Sequence, residues 1–381
     1  MKHKVCKYIN SYAYKSQHDL INTALLKAVY EIFNEVKIYT GISSWEILKK
    51  DFSATNNLKF LYVVPGKSKI SGLMRYICSA INNIFILLAS KRTDILFYNF
   101  NNVFSLHGLN WINLWLKRKI IIVCHGELEL LISNEGGFQS KIMRFLCRNF
   151  YFKTKLSNDI SYIVLGDCII DNLNKLISKQ KINHFFSLDH PFIPNEIVSS
   201  ENQKSSQIKV GTVGELNSYK GAEEYVKLLQ LIPIEILSKI EFYSIGSVNS
   251  QYTELTKNNV IIPGNGHRLS RSEFDKYVEE LDYILFFYDN DKYKLIASGA
   301  IFDAIKYKKP IIALENTYFR YLTNKFGKIG FLCKDVNQMS EIISNLSNLD
   351  KINFDFSKYY KNLTQKSFSD NLKNRISQCL M

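Results

Sequence analysis

The chain has 381 residues, of which 46% are hydrophobic and 22% charged, and its net charge is +14. This length can fill two cores, and this composition excludes a disordered or collagen-like chain. The longest apolar run, 77–89, is interrupted by Asn82 and Asn83 and is too short to span a bilayer.

The basic excess is uneven. Residues 1–197 carry 25 Lys and Arg against 14 Asp and Glu, a net +11, while residues 198–381 carry 24 against 21, a net +3. A basic half needs an anionic partner: a membrane surface, nucleic acid or a phosphorylated substrate. The seven cysteines are scattered without a C-x-x-C pair, and Met1-Lys2-His3-Lys4 does not open a secretory signal. A reduced cytoplasmic protein is expected.

Apolar runs alternate with amphipathic stretches, the pattern of repeated βα units. Strands are expected over 5–9, 36–39, 60–64, 95–98, 120–124 and 162–165. Helices are expected between them over 18–34, 72–89, 104–115, 140–152 and 167–177. The run 191–194 with its two prolines, and the polar run 199–207, break the pattern and read as a linker. A second series follows, with strands over 208–213, 240–245, 260–262 and 283–288 and helices over 222–231, 272–281 and 336–346, plus a short one near Tyr252. Another helix opens at Ser298, and a strand follows Lys309-Pro310. The fold class is α/β with two Rossmann-like domains facing a cleft. The domains are expected at 1–197 and 208–360, with a helix in 361–381 returning to the first.

Three places in the second half suit a nucleoside diphosphate. Gly214 follows the strand over 208–213, where a glycine lets a ligand approach the backbone, and Lys220 supplies a point charge. Ser298-Gly299-Ala300 is a small-residue turn whose N–H groups can face a phosphate, with Asp303 one turn further to accept from a hydroxyl. Arg268 follows Gly264-Asn265-Gly266-His267 and can pair with phosphate, or it is a surface Arg on a flexible turn. In the first half, His125 lies just past a buried strand, with Gly126, Glu127 and Glu129 after it. It is either a site histidine or a structural one, and Glu127 and Glu129 are the nearest general bases. Asp289-Asn290-Asp291 reads as a polar loop, and no metal site is expected.

Together these residues resemble the nucleotide-sugar domain of family 4 GT-B glycosyltransferases, over about 208–345. Gly214, Leu216, Lys220 and Gly221 match the G-x-L-x-x-x-K-G motif of that family. Asp303, seven residues before Pro310, stands at the second carboxylate of its E-x7-E pattern, and Leu295 stands where the first would be. Glu215 replaces the Arg that commonly follows the motif glycine. The resemblance implies that Asp303 holds the ribose hydroxyls, that Lys220 neutralises the diphosphate and that His125 sits beside the donor sugar. It implies a nucleoside diphosphate sugar as co-substrate, no cofactor, and a glycan acceptor, lipid-linked in bacterial O-antigen, capsule or exopolysaccharide synthesis. Residues 111–119 and 141–148 pair basic with aromatic or apolar side chains, as at an anionic membrane surface, or as solvated faces of core helices. No nucleic-acid motif is present, so nucleic acid is not an expected partner. Other enzymes of the same shape, an epimerase or a phosphorylase, are the rivals, followed by a non-catalytic nucleic-acid-binding protein.

Overall fold

The computed structural model describes residues 5–380 except 16, 53–56, 67, 192–206, 253–254, 256–259, 290–292 and 348–351. Most of the expected linker, and Asn290 and Asp291 of the polar loop, therefore lie outside the described residues.

The chain forms two compact units. The first comprises Met1–Ile193, Leu295–Ala297 and Leu363–Met381, and the second Pro194–Lys294 and Ser298–Asn362. In chain order the first unit contains β1 (Val5–Asn10), α1 (Asp19–Ile32), β2 (Glu35–Gly41), α2 (Ile42–Leu48), β3 (Leu58–Leu61), α3 (Lys69–Leu88), β4 (Ile95–Tyr98) and α4 (Leu106–Leu116). It continues with β5 (Lys119–Val123), α5 (Phe138–Arg148), β6 (Ile160–Val164), α6 (Asp167–Leu173), α7 (Lys179–Ile182) and β7 (Phe185–Ser187). The second unit contains β8 (Ile208–Val213), α8 (Ala222–Leu231), α9 (Ile234–Leu237), β9 (Ile240–Ile245), β10 (Val260–Ile261), α10 (Arg271–Glu280) and β11 (Tyr283–Phe286). Then come α11 (Ile301–Lys306), β12 (Ile311–Leu314), α12 (Thr317–Phe326), β13 (Gly330–Cys333), α13 (Val336–Ser344) and α14 (Ser357–Asn362). Finally α15 (Gln365–Leu380) packs on α1 in the first unit.

Every strand pairs in parallel. The sheets run β3-β2-β1-β4-β5-β6-β7 and β10-β9-β8-β11-β12-β13. Parallel sheets are covered on both faces, so their central strands read as unbroken apolar runs. All four residues of β4 are buried, as are the last four of β5. In the first unit α1, α2 and α15 cover one face, burying Leu25, Val29, Trp45, Leu372 and Ile376 against Tyr8, Ile38 and Phe97. In the second, Tyr225, Leu228, Met339 and Ile343 pack against Val210, Phe242, Leu285 and Ile312.

Several boundaries depart from the sequence pattern for local reasons. The third strand ends at Leu61 instead of reaching 64. Beyond it Arg75 of α3 donates to the carbonyls of Val64 and Gly66 and holds the chain that leads into the helix. The helix expected over 140–152 stops at Arg148 and passes into a π-helical turn, Asn149–Lys153. The helix expected to open at Ser298 begins at Ile301 and has only six residues. The preceding Leu295–Ala297 stays out of the helix, because Glu129 accepts the Leu295 N–H and Ala297 packs on the first core. Helix α3 is twenty residues long. By length and composition alone it could cross a membrane, which the interrupted run 77–89 does not show.

Candidate functional site

Each sheet reverses its strand order once, between β1 and β4 and between β8 and β11. Connections leave in opposite directions there, and ligands of open α/β sheets bind in that crevice at the strands' carboxyl ends. In the second unit β8 delivers Gly214 to this point. Gly214 has φ 90° and Gly221 φ 78°, both in the left-handed region. A Cβ on Gly221 would stand 2.3 Å from the Phe287 carbonyl oxygen, so only glycine lets the β8–α8 loop lie on the end of β11. Between the two glycines Ser218–Lys220 form one 3-10 turn, capped by Asn217, whose side-chain oxygen accepts from the Lys220 N–H at 3.0 Å. The turn brings Lys220 Nζ to 3.6 Å from where a Cβ of Gly214 would sit. Among the described residues that ammonium has neither a hydrogen bond nor an ion pair. A half-buried, unpaired cation over a glycine turn can receive a diphosphate.

Neighbouring loops are stitched to this one. Leu216 donates to the Ser247 carbonyl at 2.8 Å, Asn249 donates to the Leu216 carbonyl at 3.0 Å, and Val248 donates to the Gly266 carbonyl at 3.0 Å. The loop after β10, with exposed Arg268 just past Gly266, is thus tied through the β9 loop to the loop carrying Gly214 and Lys220. Ser298 is 1% exposed and its Oγ lacks a hydrogen-bond partner. A buried hydroxyl without a partner is costly unless a ligand or water meets it. Gly299 is exposed, and nothing lies within 4 Å of where its Cβ would stand. Packing therefore does not demand glycine there.

Asp303 is placed differently from a free ribose acceptor. Arg271 Nη2 lies 2.9 Å from its Oδ1 and 2.7 Å from Asp275 Oδ1, and Lys306 Nζ lies 3.1 Å from Asp275 Oδ2. Burial raises the Asp303 pKa, and Arg271 pulls the other way. A hydroxyl arriving at Asp303 shares it with Arg271. Leu295, which stands where the family pattern has its first carboxylate, is 2% exposed, and its N–H is taken by Glu129.

In the first unit the site residues sit just beyond β5, beside the β1/β4 reversal. His125 Nε2 lies 2.6 Å from the Asn99 carbonyl. A carbonyl only accepts, so Nε2 carries the proton and Nδ1 is left as an acceptor. Burial pushes the His125 pKa down to about 3, helped by the neighbouring His18. Near neutral pH His125 is thus an uncharged ring with an open acceptor nitrogen and little basicity. Glu127 Oε2 accepts from the N–H of His125 at 3.0 Å and of Gly126 at 3.3 Å. Burial outweighs these donors and lifts the Glu127 pKa to about 7, the range of a working general acid or base.

A run of rings that the sequence reading omits borders this pair. His18 stacks on His125 at 4.7 Å, Phe100 lies 6.3 Å beyond His125, Tyr12 stacks on Phe100 at 4.1 Å, and Tyr76 adjoins Tyr12 at 4.6 Å. Tyr12 and Phe100 stand two residues past the ends of β1 and β4, the strands that flank the reversal. Their position after those strands was the available signal. Aromatic faces with a few converging polar groups are what small-molecule sites are made of.

Comparison with solved structures shows that the chain has the GT-B fold. WaaG, a glycosyltransferase involved in lipopolysaccharide biosynthesis, matches at TM-score 0.63 with 12% identity, over 98% of this chain and 99% of its own. The lipopolysaccharide outer core galactosyltransferase WaaB matches at TM-score 0.61 with 11% identity, over 98% and 99%. A Listeria monocytogenes protein described as a UDP-N-acetylglucosamine 2-epimerase matches at TM-score 0.56 with 12% identity, over 100% and 96%. No protein-family profile and no curated protein matches the chain.

Proposed function

We propose that this protein is a glycosyltransferase that moves a sugar from a nucleoside diphosphate sugar to a glycan acceptor. The observation that carries this reading is the unpaired Lys220 ammonium over the Gly214 turn, at the order reversal of the second sheet. Lys220 and Arg268 neutralise the diphosphate, and Ser298 and Gly299 offer it a hydroxyl and open backbone. Asp303, shared with Arg271, holds the ribose. Charge that builds on the departing diphosphate is met by groups already in place, which is how a fixed site lowers such a barrier. No metal is needed for this, since the protein's own cations supply the charge. His125 accepts a hydrogen bond from a sugar hydroxyl through Nδ1. Glu127 takes the acceptor's proton if the reaction inverts configuration; a retaining reaction needs no separate base.

The acceptor is proposed to be a lipid-linked glycan of a bacterial surface polysaccharide such as O-antigen, capsule or exopolysaccharide. The net +11 of residues 1–197 supports this, since it suits the anionic cytoplasmic face of a membrane, and so does the role of WaaG and WaaB in lipopolysaccharide synthesis. The enzyme then works in the cytoplasm, peripheral to that membrane, with no nucleic-acid partner. An epimerase of this fold is the second reading, favoured by the Listeria match. Product analysis separates the two: a transferase consumes donor only with an acceptor, whereas an epimerase converts the nucleotide sugar alone. Lys220→Ala removes a charge-assisted contact of about 1.5–3 kcal/mol, so nucleoside diphosphate affinity falls about tenfold or more. Titration calorimetry of the folded variant checks this, and unchanged affinity removes the proposed donor site.

A further inference from the structure

Helix α3 is built inside out. Over most of its length its buried side carries Arg75, Ser79 and Asn83, 4%, 0% and 1% exposed, and the apolar Ile86 and Leu87 join them only in the last turn. Each of the three polar residues is bonded within the first unit: Ser79 and Asn83 to Ser11 at 2.8 and 2.7 Å, and Arg75 Nε to the Val64 carbonyl at 2.9 Å. Its outer side carries Ile70, Met74, Ile77, Ile81, Phe85 and Leu88, between 36% and 76% exposed. These six recur at steps of four, three, four, four and three, so they form one stripe along the whole helix. A water-facing helix normally shows the reverse arrangement. The bonded polar side also rules out a bilayer span, because α3 is committed to the sheet along that side.

The surroundings say what covers the stripe. Helices α3, α4 and α5 make the connections that run from β3 through β4 and β5 to β6, so right-handed crossovers put all three on one face of the sheet. They lie side by side: a Cβ on Gly108 of α4 would be 3.0 Å from Ile84 of α3, and His107 of α4 is 3.2 Å from the Leu146 carbonyl of α5. The exposed apolar set continues on α4 with Trp111, Leu114 and Trp115, 67%, 42% and 78% exposed. Lys69 at the start of α3, Lys91 and Arg92 just past its end, Lys117 after α4 and Lys141 on α5 are exposed cations around it. None of the three helices contains an Asp or Glu. The basic stripe expected on α5 is not free, since Arg144 is buried and Arg148 binds the carbonyls of Leu131 and Ser133.

We propose that the α3 stripe, flanked by Trp111 and Trp115, inserts into the acyl boundary of an anionic bilayer, with the surrounding lysines on lipid headgroups. An apolar face rimmed by cations with aromatic anchors matches the chemistry of that interface. The inference rests on the peripheral placement proposed above for its setting, and it adds that binding is by insertion of α3, beyond surface attraction. The test uses the full chain with phosphatidylcholine vesicles containing about one-third phosphatidylglycerol, without nucleotide or acceptor. Failure here therefore leaves the transferase reading standing, and failure of donor binding leaves this result standing.

Wild-type protein should float with the vesicles even at about 0.5 M salt, where purely ionic attraction is screened. Brominated acyl chains should quench its exposed tryptophans, while Trp45, 7% exposed, stays as background. The double variant Ile81→Glu with Phe85→Glu should lose about tenfold or more in vesicle affinity with an unchanged melting temperature. Ile234→Glu, at a site 77% exposed in the second unit, should bind as wild type does. Release of wild type by salt, or equal binding by the double variant, overturns the proposal. So does a wild-type dimer in solution that the double variant dissolves, because the stripe would then cover itself.

Discussion

Burial moves the pKa values of two neighbouring groups past β5 in opposite directions and favours the neutral form of each. Burial holds His125 neutral down to about pH 3 and holds the Glu127 proton up to about pH 7. Folded Glu127 keeps its proton between 4.5 and 7 while the unfolded chain releases it, so this group lowers stability as pH rises through that window. Glu127→Gln keeps an oxygen for the His125 and Gly126 N–H groups and removes that penalty. It should stabilise the protein by about 1–2 kcal/mol at pH 8 and by nothing near pH 4.5, read from melts at both. A difference that is the same at both pH values would refute the raised pKa. In turnover, a rate that rises with pH through about 7 in wild type and is flat in Glu127→Gln marks Glu127 as the base; the same inflection in both relieves it of that role. Glu127 and His125 were legible in the sequence because both follow a buried strand. Tyr12, Phe100 and Tyr76 were not, because their meeting depends on β1 lying beside β4, and strand order is not written locally.

The donor reading depends on the loop between β8 and α8 and on the turn before α11, and one glycine from each separates structure from function. Gly221 is fixed by a left-handed φ and by the Phe287 carbonyl. Gly221→Ala should cost about 2–4 kcal/mol in denaturant unfolding, and a loss within about 0.5 kcal/mol would mean the loop yields easily. Gly299 stands in open space before α11. Gly299→Ala should leave stability within about 0.5 kcal/mol while weakening nucleoside diphosphate binding, if phosphate approaches that backbone. Unchanged binding would take Gly299 out of the site. The long periodic helices α1 and α8, and the wholly buried apolar run of β4, were legible almost to the residue. The four-residue β13, the three-residue β7 and α12 were not. The two strands lie at sheet edges, where a short segment gives no period, and α12 is set by its Asn316 cap, which accepts from the Phe319 N–H at 2.9 Å.

For the whole molecule, the doubly wound character of both sheets was visible as two βα series separated by a polar run. The membership of Leu295–Ala297 in the first unit was not. Leu295–Ala297 joins the first unit through the Glu129 bond to Leu295 N–H, a pairing across 166 positions that no local pattern encodes. The same holds for the outward stripe of α3, whose apolar spacing reads as an ordinary core face until the sheet shows which side is covered. The most direct test of the donor-site claim is the melting temperature of the whole protein with UDP, GDP, CDP and ADP, with and without Mg²⁺. A ligand that binds only the folded state raises the melting temperature by mass action. One nucleotide class should do so without metal, and Lys220→Ala should need about tenfold more of it for the same shift. No shift with any of the four, or equal shifts in wild type and Lys220→Ala, would contradict the account.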